Sequence, residues 1–353
     1  MGFQYQSSLP LVSFNFKLIK MKNFKNKLTK HEISFRRYQH GPLKKVIYIE
    51  FIYSTERMEE IKRCHVSRKD DVFVATYQKS GTTWLQHILN QLLDEPQVCE
   101  LWQKHNNRDT ELYSCIDPLF SKYFAFIVSV LQGETSNINE ACPWLEEETQ
   151  AKVDDMKSPR IFKTHDKWEW VPKGEGVKYI YCYRNPKDVM CSYYNHMKNV
   201  FVGHYGYMGS MAEFYEDIFI TPNRSENGFY FDHLACWFNQ KDNPDILFVT
   251  FEDMVEDLKR EISRISEFLK LDCGEEKIDR IVGSSMFDSM SKNAKCNYTW
   301  RDGDVKNPDA KFIRKGKVGG WVEELTKEQS DKMDELSRDL IEVPYGIKIR
   351  CSL

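Results

Sequence analysis

The stretch Asp71 to Leu93, DVFVATYQKSGTTWLQHILNQLL, restricts the fold more than any other part of the chain. Val72, Phe73, Val74, Ala75 and Tyr77 form a short, nearly continuous apolar run rich in β-branched and aromatic residues. That length and composition predict a strand buried on both faces. Gln78 to Thr83 carry no large apolar side chain, and Leu85, Ile88, Leu89 and Leu92 then recur at helical spacing. A strand, a small polar loop and a helix in that order leave the loop facing the free N–H groups of the helix N-terminus. Gly81 lets backbone come close to a ligand, Lys79 adds a full positive charge, and Ser80, Thr82 and Thr83 add hydroxyl donors. The stretch predicts a site for a tetrahedral anion; the bland alternative is a polar turn. A P-loop NTPase places its lysine directly after the second glycine of G-x-x-x-x-G-K-[ST]. Lys79 instead precedes the only glycine by two positions, and no hydroxyl follows a Gly-Lys pair to hold Mg²⁺.

The rest of the chain repeats the strand-then-helix order. Arg160 to His165 (RIFKTH), Val177 to Tyr183 (VKYIYCY) and Ile246 to Phe251 (ILFVTF) read as further strands. Asn185 reads as a capping residue, with Pro186 in the first turn and Asp188 at the third position of a helix. Leu258, Ile262, Ile265 and Leu269 mark another helix. Strands alternating with helices predict an α/β fold, a three-layer α/β/α sandwich around a mainly parallel sheet. Residues 94 to 158 read as mostly helical and irregular, broken by Pro96, Pro118 and Pro143.

Lys79, His165, Arg184 and Phe251 all fall at or just past the C-terminal end of a predicted strand. In open α/β sheets, ligands bind at that edge. Arg184 stands beside a predicted helix N-terminus, and a guanidinium fork suits phosphate oxygens. Ser192 lies two helical turns further on, on the same side; an Arg184–Asp188 surface ion pair is the structural alternative. Arg314, Lys315 and Gly316, in FIRKGKVGGW, follow a Pro/Asp/Lys-rich stretch and predict a loop that closes over a phosphate or a solvated basic turn. Lys163, Thr164 and His165 end a strand at the same rim, and the usual histidine pKa range suits a general base near neutral pH.

These segments in this order, TYQKSGTTW, RIFKTH, YRNPKDVMCS and FIRKGKVGGW, resemble the cytosolic sulfotransferase family, over about residues 40 to 340. The resemblance implies a P-loop-kinase-like fold and transfer of a sulfuryl group from 3′-phosphoadenosine 5′-phosphosulfate (PAPS) to a hydroxyl or amine. It implies a phosphosulfate loop of Lys79, Ser80, Gly81, Thr82, Thr83 and Trp84, the last stacking on adenine. It implies a 3′-phosphate site from Arg184, Ser192, Arg314, Lys315 and Gly316, adenine contacts from Phe251, Ser285 and Phe287, and His165 as the base. Lys79 would steady the leaving nucleotide, Lys163 the sulfuryl oxygens, and Ser192 would position Lys79 through the phosphate. Three departures stand out. Gln78 replaces the family's usual proline and Phe251 a tyrosine. Val322, Thr326, Lys327 and Asp331 do not match the family's dimer motif, which leaves monomer and dimer both open. The rivals are a nucleotide kinase, a nucleotide-binding protein without turnover, and a membrane-anchored carbohydrate sulfotransferase.

Composition narrows the partners. A net charge of −3 gives no global pull toward nucleic acid or an anionic membrane as partners; a small-molecule acceptor is what the resemblance implies. The ten cysteines form no C-x-x-C pair and read as reduced thiols of a cytoplasmic protein, with no metal site. The apolar stretch Phe124 to Leu131 is too short to span a bilayer. Residues 1 to 37 read as a basic, disordered extension, or an upstream addition to a start at Met21, and 38 to 353 as a single catalytic domain. Phe120, Tyr123, Phe124, Trp144, Tyr194 and Phe201 are candidates to line an aromatic acceptor pocket, or equally to be core.

Overall fold

The computed structural model describes residues 55–93, 138–199, 207, 209–222, 228–296 and 312–350. The basic segment 1–37, most of 94–158 and the pocket candidates Phe120, Tyr123, Phe124 and Phe201 lie outside the described residues. Every described element falls within the unit Phe35–Leu353.

Four strands form one sheet: β1 (Val72–Thr76), β2 (Ile161–Thr164), β3 (Lys178–Tyr183) and β4 (Ile246–Thr250). Their order is β2-β1-β3-β4, and every pairing is parallel. The main helices are α1 (Thr55–Cys64), α2 (Thr82–Leu93), α3 (Pro186–Asn199), α4 (Tyr230–Phe238), α5 (Phe251–Glu256), α6 (Leu258–Phe268), α7 (Glu275–Ser285) and α8 (Lys327–Ser337).

Side-chain alternation along each strand divides the interior into two cores. Val72, Val74, Ile161, Ile180, Cys182 and Val249 pack with Leu85, Ile88, Leu89, Ile262 and Ile265, on the α2, α6 and α7 side. Phe73, Ala75, Phe162, Tyr179 and Tyr181 pack with Val189, Met190, Tyr230, Leu234 and Trp237, on the α3 and α4 side. The period-two pleat sends neighbours to opposite faces. With both faces covered, the strands lack a polar side, and the sheet is the middle of three layers. The expected α/β/α architecture is present, and the sheet is parallel throughout its described strands.

One boundary shift moves a candidate residue into a different element. The predicted fourth strand ends at Thr250, not Phe251, because the Thr250 hydroxyl accepts from Asp253 N–H at 2.9 Å and caps α5. Phe251 is thereby the first residue of a helix. At the start of α3 the expectation holds: Asn185 Oδ1 accepts from Lys187 N–H at 2.9 Å, with Pro186 first in the helix. Glu252 Oε1 accepts from Asn185 N–H at 3.0 Å and ties that corner to α5.

At the opposite edge of the sheet, Asp71 and Arg160 form a buried two-point ion pair, Nε to Oδ1 at 2.7 Å and Nη2 to Oδ2 at 2.6 Å. It clamps the starts of β1 and β2 and so sets the register that carries Lys79 and His165 to one rim. No described helix is long and apolar enough to cross a membrane.

Candidate active site

With the order β2-β1-β3-β4, the chain leaves β1 toward one side and β3 toward the other. In open α/β sheets such a divergence, beyond the carboxyl ends of β1 and β3, is where ligands bind. Thr76 pairs with Cys182 and Ala75 with Thr164, so the residues that follow these strands emerge at one level. Those residues are the Lys79 loop, Arg184 and His165.

The loop turns sharply before α2. Lys79 has φ 68° and Gly81 φ 108°, and Ser80 N–H donates to Tyr77 O at 3.3 Å. A left-handed φ on a side-chain-bearing residue costs about 1–2 kcal/mol, a strain found at sites where function requires it. A Cβ on Gly81 would stand 3.2 Å from the Phe251 ring, so glycine also admits the ring beneath the loop. Phe251 is buried, lies edge-on to Trp84 at 5.3 Å, and has the Arg184 guanidinium 4.0 Å over its face. That contact gives Phe251 a structural task of its own, supporting Arg184 by cation–π attraction.

Arg184 is buried and joins two loops, donating to Lys79 O at 3.4 Å and Lys317 O at 3.1 Å. The ion pair to Asp188 is present, at 3.8 Å. Asp188 does more: its carboxylate accepts from Gly319 N–H at 2.8 Å and Trp321 N–H at 3.2 Å. It thereby pins the far end of the Arg314-Lys315-Gly316 turn to α3. Gly316, with φ 59°, sits against Phe287, where an added Cβ would lie 2.1 Å from the ring. Trp84 Nε1 donates to Ser285 O at 2.9 Å, joining α2 to α7 beside that turn. The structure thus brings the Lys79 loop, Trp84, Arg184, Phe251, Ser285, Phe287 and Gly316 into one connected set. Ser192 follows on α3, half-buried.

The cations are crowded. Burial, then the charges of Arg184, Lys163 and Arg314, push the Lys79 ammonium down to about 7. Its Nζ also lies 4.3 Å from the centre of the Phe312 ring. Lys163 Nζ lies 4.3 Å from the Trp144 ring centre. Three buried polar atoms at this edge, Ser80 Oγ, Arg184 Nε and Ser285 Oγ, have no hydrogen-bond partner among the described residues. Each such atom costs about 1–3 kcal/mol when left unpaired. Converging cations and unpaired donors suit a polyanion.

His165 is held at three points. Its Nδ1–H donates to Thr76 O at 2.9 Å, its N–H to Glu146 Oε1 at 3.0 Å, and its carbonyl accepts from His233 Nε2 at 3.0 Å. The Trp144 ring stands edge-on at 5.4 Å. A proton on Nδ1 leaves Nε2 as the acceptor. The expectation of titration near neutrality is corrected: burial, then the Lys163 charge, push the imidazole down to about 3. It is therefore neutral across the usual pH range and a weak base as held here.

One hydroxyl of the loop packs inward. Thr82 Oγ1 lies 2.7 Å from Thr76 Oγ1, which itself lies 3.2 Å from His165 Nδ1. The Thr82 side chain is thus tied to the strand end. Thr76, Glu146 and His233 escape sequence reasoning, since a threonine ending a strand and side chains elsewhere in the chain carry no motif, and Asp188 is legible there only as a first-turn acid or an ion-pair partner of Arg184. Arg314 and Lys315 point back to Glu324, at 3.2 and 3.0 Å. Of the pocket candidates described, Trp144 borders His165, whereas Tyr194 is core, hydrogen-bonded to Gly209 O at 3.3 Å.

Residues 69–343 match the model of the sulfotransferase domain. The chain belongs to the sulfotransferase family. Among curated relatives, the amine sulfotransferase of Oryctolagus cuniculus is 32% identical over 279 residues, spanning 77% of this chain and 81% of the relative. Sulfotransferase 1B1 of Canis lupus familiaris is 32% identical over 287 residues, spanning 78% and 84%. Among solved structures, mouse sulfotransferase SULT7A1 complexed with PAP aligns with TM-score 0.60 at 22% identity, over 87% of this chain and 94% of that one. That likeness concerns the fold. The sulfotransferase reading excludes the kinase alternative at the level of family.

Proposed function

We propose that this sulfotransferase moves a sulfuryl group from PAPS to the hydroxyl or amine of a small aromatic or apolar acceptor, in the cytoplasm, with residues 38–353 as its catalytic domain. The observation that carries the reading is the convergence on Lys79 of Arg184, Lys163 and Arg314, cations whose mutual repulsion an anionic nucleotide relieves. The residues fit that nucleotide. Backbone N–H groups at the start of α2, with Lys79, Ser80 and Thr83, suit the 5′-phosphosulfate. Arg184, Ser192, Arg314 and Lys315 suit the 3′-phosphate, and Trp84 and Phe251 flank the adenine with Ser285 and Phe287.

PAPS supplies an activated S–O bond, and the protein's part is placement and electrostatics. His165 Nε2 takes the proton of the attacking oxygen or nitrogen. Thr76 O fixes the imidazole tautomer that makes Nε2 available. Lys79 stabilises negative charge on the bridging oxygen of the departing nucleotide, and Lys163 the sulfuryl oxygens. Burial is the larger cause of the lowered His165 pKa and persists; a bound anion offsets the Lys163 and Lys79 charges and so raises the imidazole in part. Ser192 orients Lys79 through the phosphate.

The amine and phenol classes both suit Trp144 beside His165. The reading is tested by incubating the full chain with sulfur-labelled PAPS and a panel of phenols, steroids and arylamines. Labelled product from at least one class is expected. No transfer to any class, with PAP bound normally, would leave a nucleotide-binding protein without turnover.

A further inference from the structure

The cations of the Arg314-Lys315-Gly316 turn are held by an acid of their own segment. Glu324 Oε1 lies 3.2 Å from Arg314 Nη1 and 3.0 Å from Lys315 Nζ. Its Oε2 accepts from Asn195 Nδ2 at 3.2 Å. Asn195 is on α3, three residues after Ser192, so the two side chains share a helix face. A carboxylate thus stands between the two loop cations and the helix face that carries Ser192. The Glu324 side chain is 15% exposed, against 35% for Arg314 and 31% for Lys315. Burial raises the Glu324 pKa, but the Lys315 hydrogen bond and the Arg314 charge outweigh it and hold the carboxyl low. It is therefore ionised at neutral pH. Glu323 differs, lying 3.5 Å from Lys315 and 71% exposed.

We propose that Glu324 is an internal competitor for the 3′-phosphate of the donor, holding Arg314 and Lys315 in the nucleotide-free protein and setting donor affinity. The inference rests on the reading of this rim as a PAPS site. Two cations and a helix-borne amide donor are the partners that phosphate oxygens need. The carboxylate meets the same groups with one charge and two oxygens. A phosphate brings close to two charges and three oxygens, so it displaces the carboxylate and binds more weakly than it would to free cations. The same contact recaptures Arg314 and Lys315 when the nucleotide leaves, which favours release of the bisphosphate product. If Glu324 only organised the two cations, its removal would weaken the site; as a competitor, its removal strengthens it. The sign separates the two roles.

The test titrates the wild-type chain, Glu324→Gln and Glu323→Gln with adenosine 3′,5′-bisphosphate and with adenosine 5′-phosphate. Glu324→Gln should bind the bisphosphate about 3- to 10-fold tighter, the scale of one partly exposed charge contact, and the 5′-phosphate within about twofold. Glu323→Gln should change both by less than about twofold. Unchanged or weaker bisphosphate binding by Glu324→Gln overturns the proposal. So does an equal gain in Glu323→Gln, which would report net charge alone. Asn195→Asp, which sets a second carboxylate on the same α3 face, provides an independent arm. Selective weakening toward the bisphosphate is expected, and no change there also overturns the proposal. A wild-type chain that does not prefer the bisphosphate over the 5′-phosphate refutes the PAPS site itself, and this inference with it.

Discussion

The most demanding consequence of the crowded cations is a proton taken up on nucleotide binding. Lys79 is pushed from an ordinary 10.5 to about 7 by burial and by Arg184, Lys163 and Arg314. A bound polyanion opposes the three cationic charges but not the burial, so the pKa rises in the complex, and the full effect follows where it rises above about 9. The sign follows: a group whose pKa rises on binding favours binding below its free pKa, and the advantage is lost as pH climbs. At about pH 9 the free protein keeps Lys79 charged in about 1% of molecules, so binding must first restore the proton. Affinity for adenosine 3′,5′-bisphosphate should fall about 100-fold from low pH to about pH 9, or about 2.7 kcal/mol. The ligand does not cloud the window, because its second phosphate proton leaves near pH 6. Calorimetric titration in buffers of different ionisation heat counts the proton directly, and about one should be taken up near pH 8. Lys79→Met should bind weakly with no such slope. Wild-type affinity flat within about threefold from about pH 7 to 9, with no proton taken up, would refute the reasoning.

Further predictions concern single side chains. His165→Ala should cut turnover by about 100-fold or more while leaving bisphosphate affinity within about threefold; near-normal turnover would remove His165 from the mechanism. Lys79→Ala should also lose orders of magnitude in rate, checked by single-turnover transfer of labelled sulfur. Arg184→Ala should weaken ligands bearing a 3′-phosphate by about 10- to 100-fold, the worth of a charged hydrogen bond, and equal losses for 5′-phosphate ligands would contradict its assignment. Gly316→Ala forces a Cβ to within 2.1 Å of Phe287 at φ 59°. It should lower nucleotide affinity and, through strain in the turn, lower the melting temperature by a few degrees, and unchanged affinity would show that the turn does not close on the ligand.

Much of this site was legible because local chemistry and local geometry coincide. Val72 to Thr76 cannot be half-exposed with that apolar content, and Leu85, Ile88, Leu89 and Leu92 cannot lie on one side of anything but a helix. Between them, Lys79 and Gly81 had only a strand-to-helix turn to occupy. Asn185 and Pro186 likewise marked the start of α3, because capping depends on residues adjacent in sequence. The placement of the segment ends is readable for the same reason: each strand carries the residues that follow it to the rim.

What the sequence by itself determined, then, is the set of turns and the α/β layering, since strand period, helix period and caps are properties of neighbouring residues. The tertiary structure decided the rest, because hydrogen bonding and electrostatics act through space. Only the sheet order places Thr76 under His165 and joins both to Thr82. Only packing brings three cations to Lys79 and moves its pKa, and only burial drives His165 down rather than leaving it near neutrality. Asp188 reads as an ordinary first-turn acid until Gly319 and Trp321 arrive from more than a hundred residues away to donate to it. Glu324, equally unmarked in sequence, acquires meaning from Arg314, Lys315 and Asn195 meeting it across two elements.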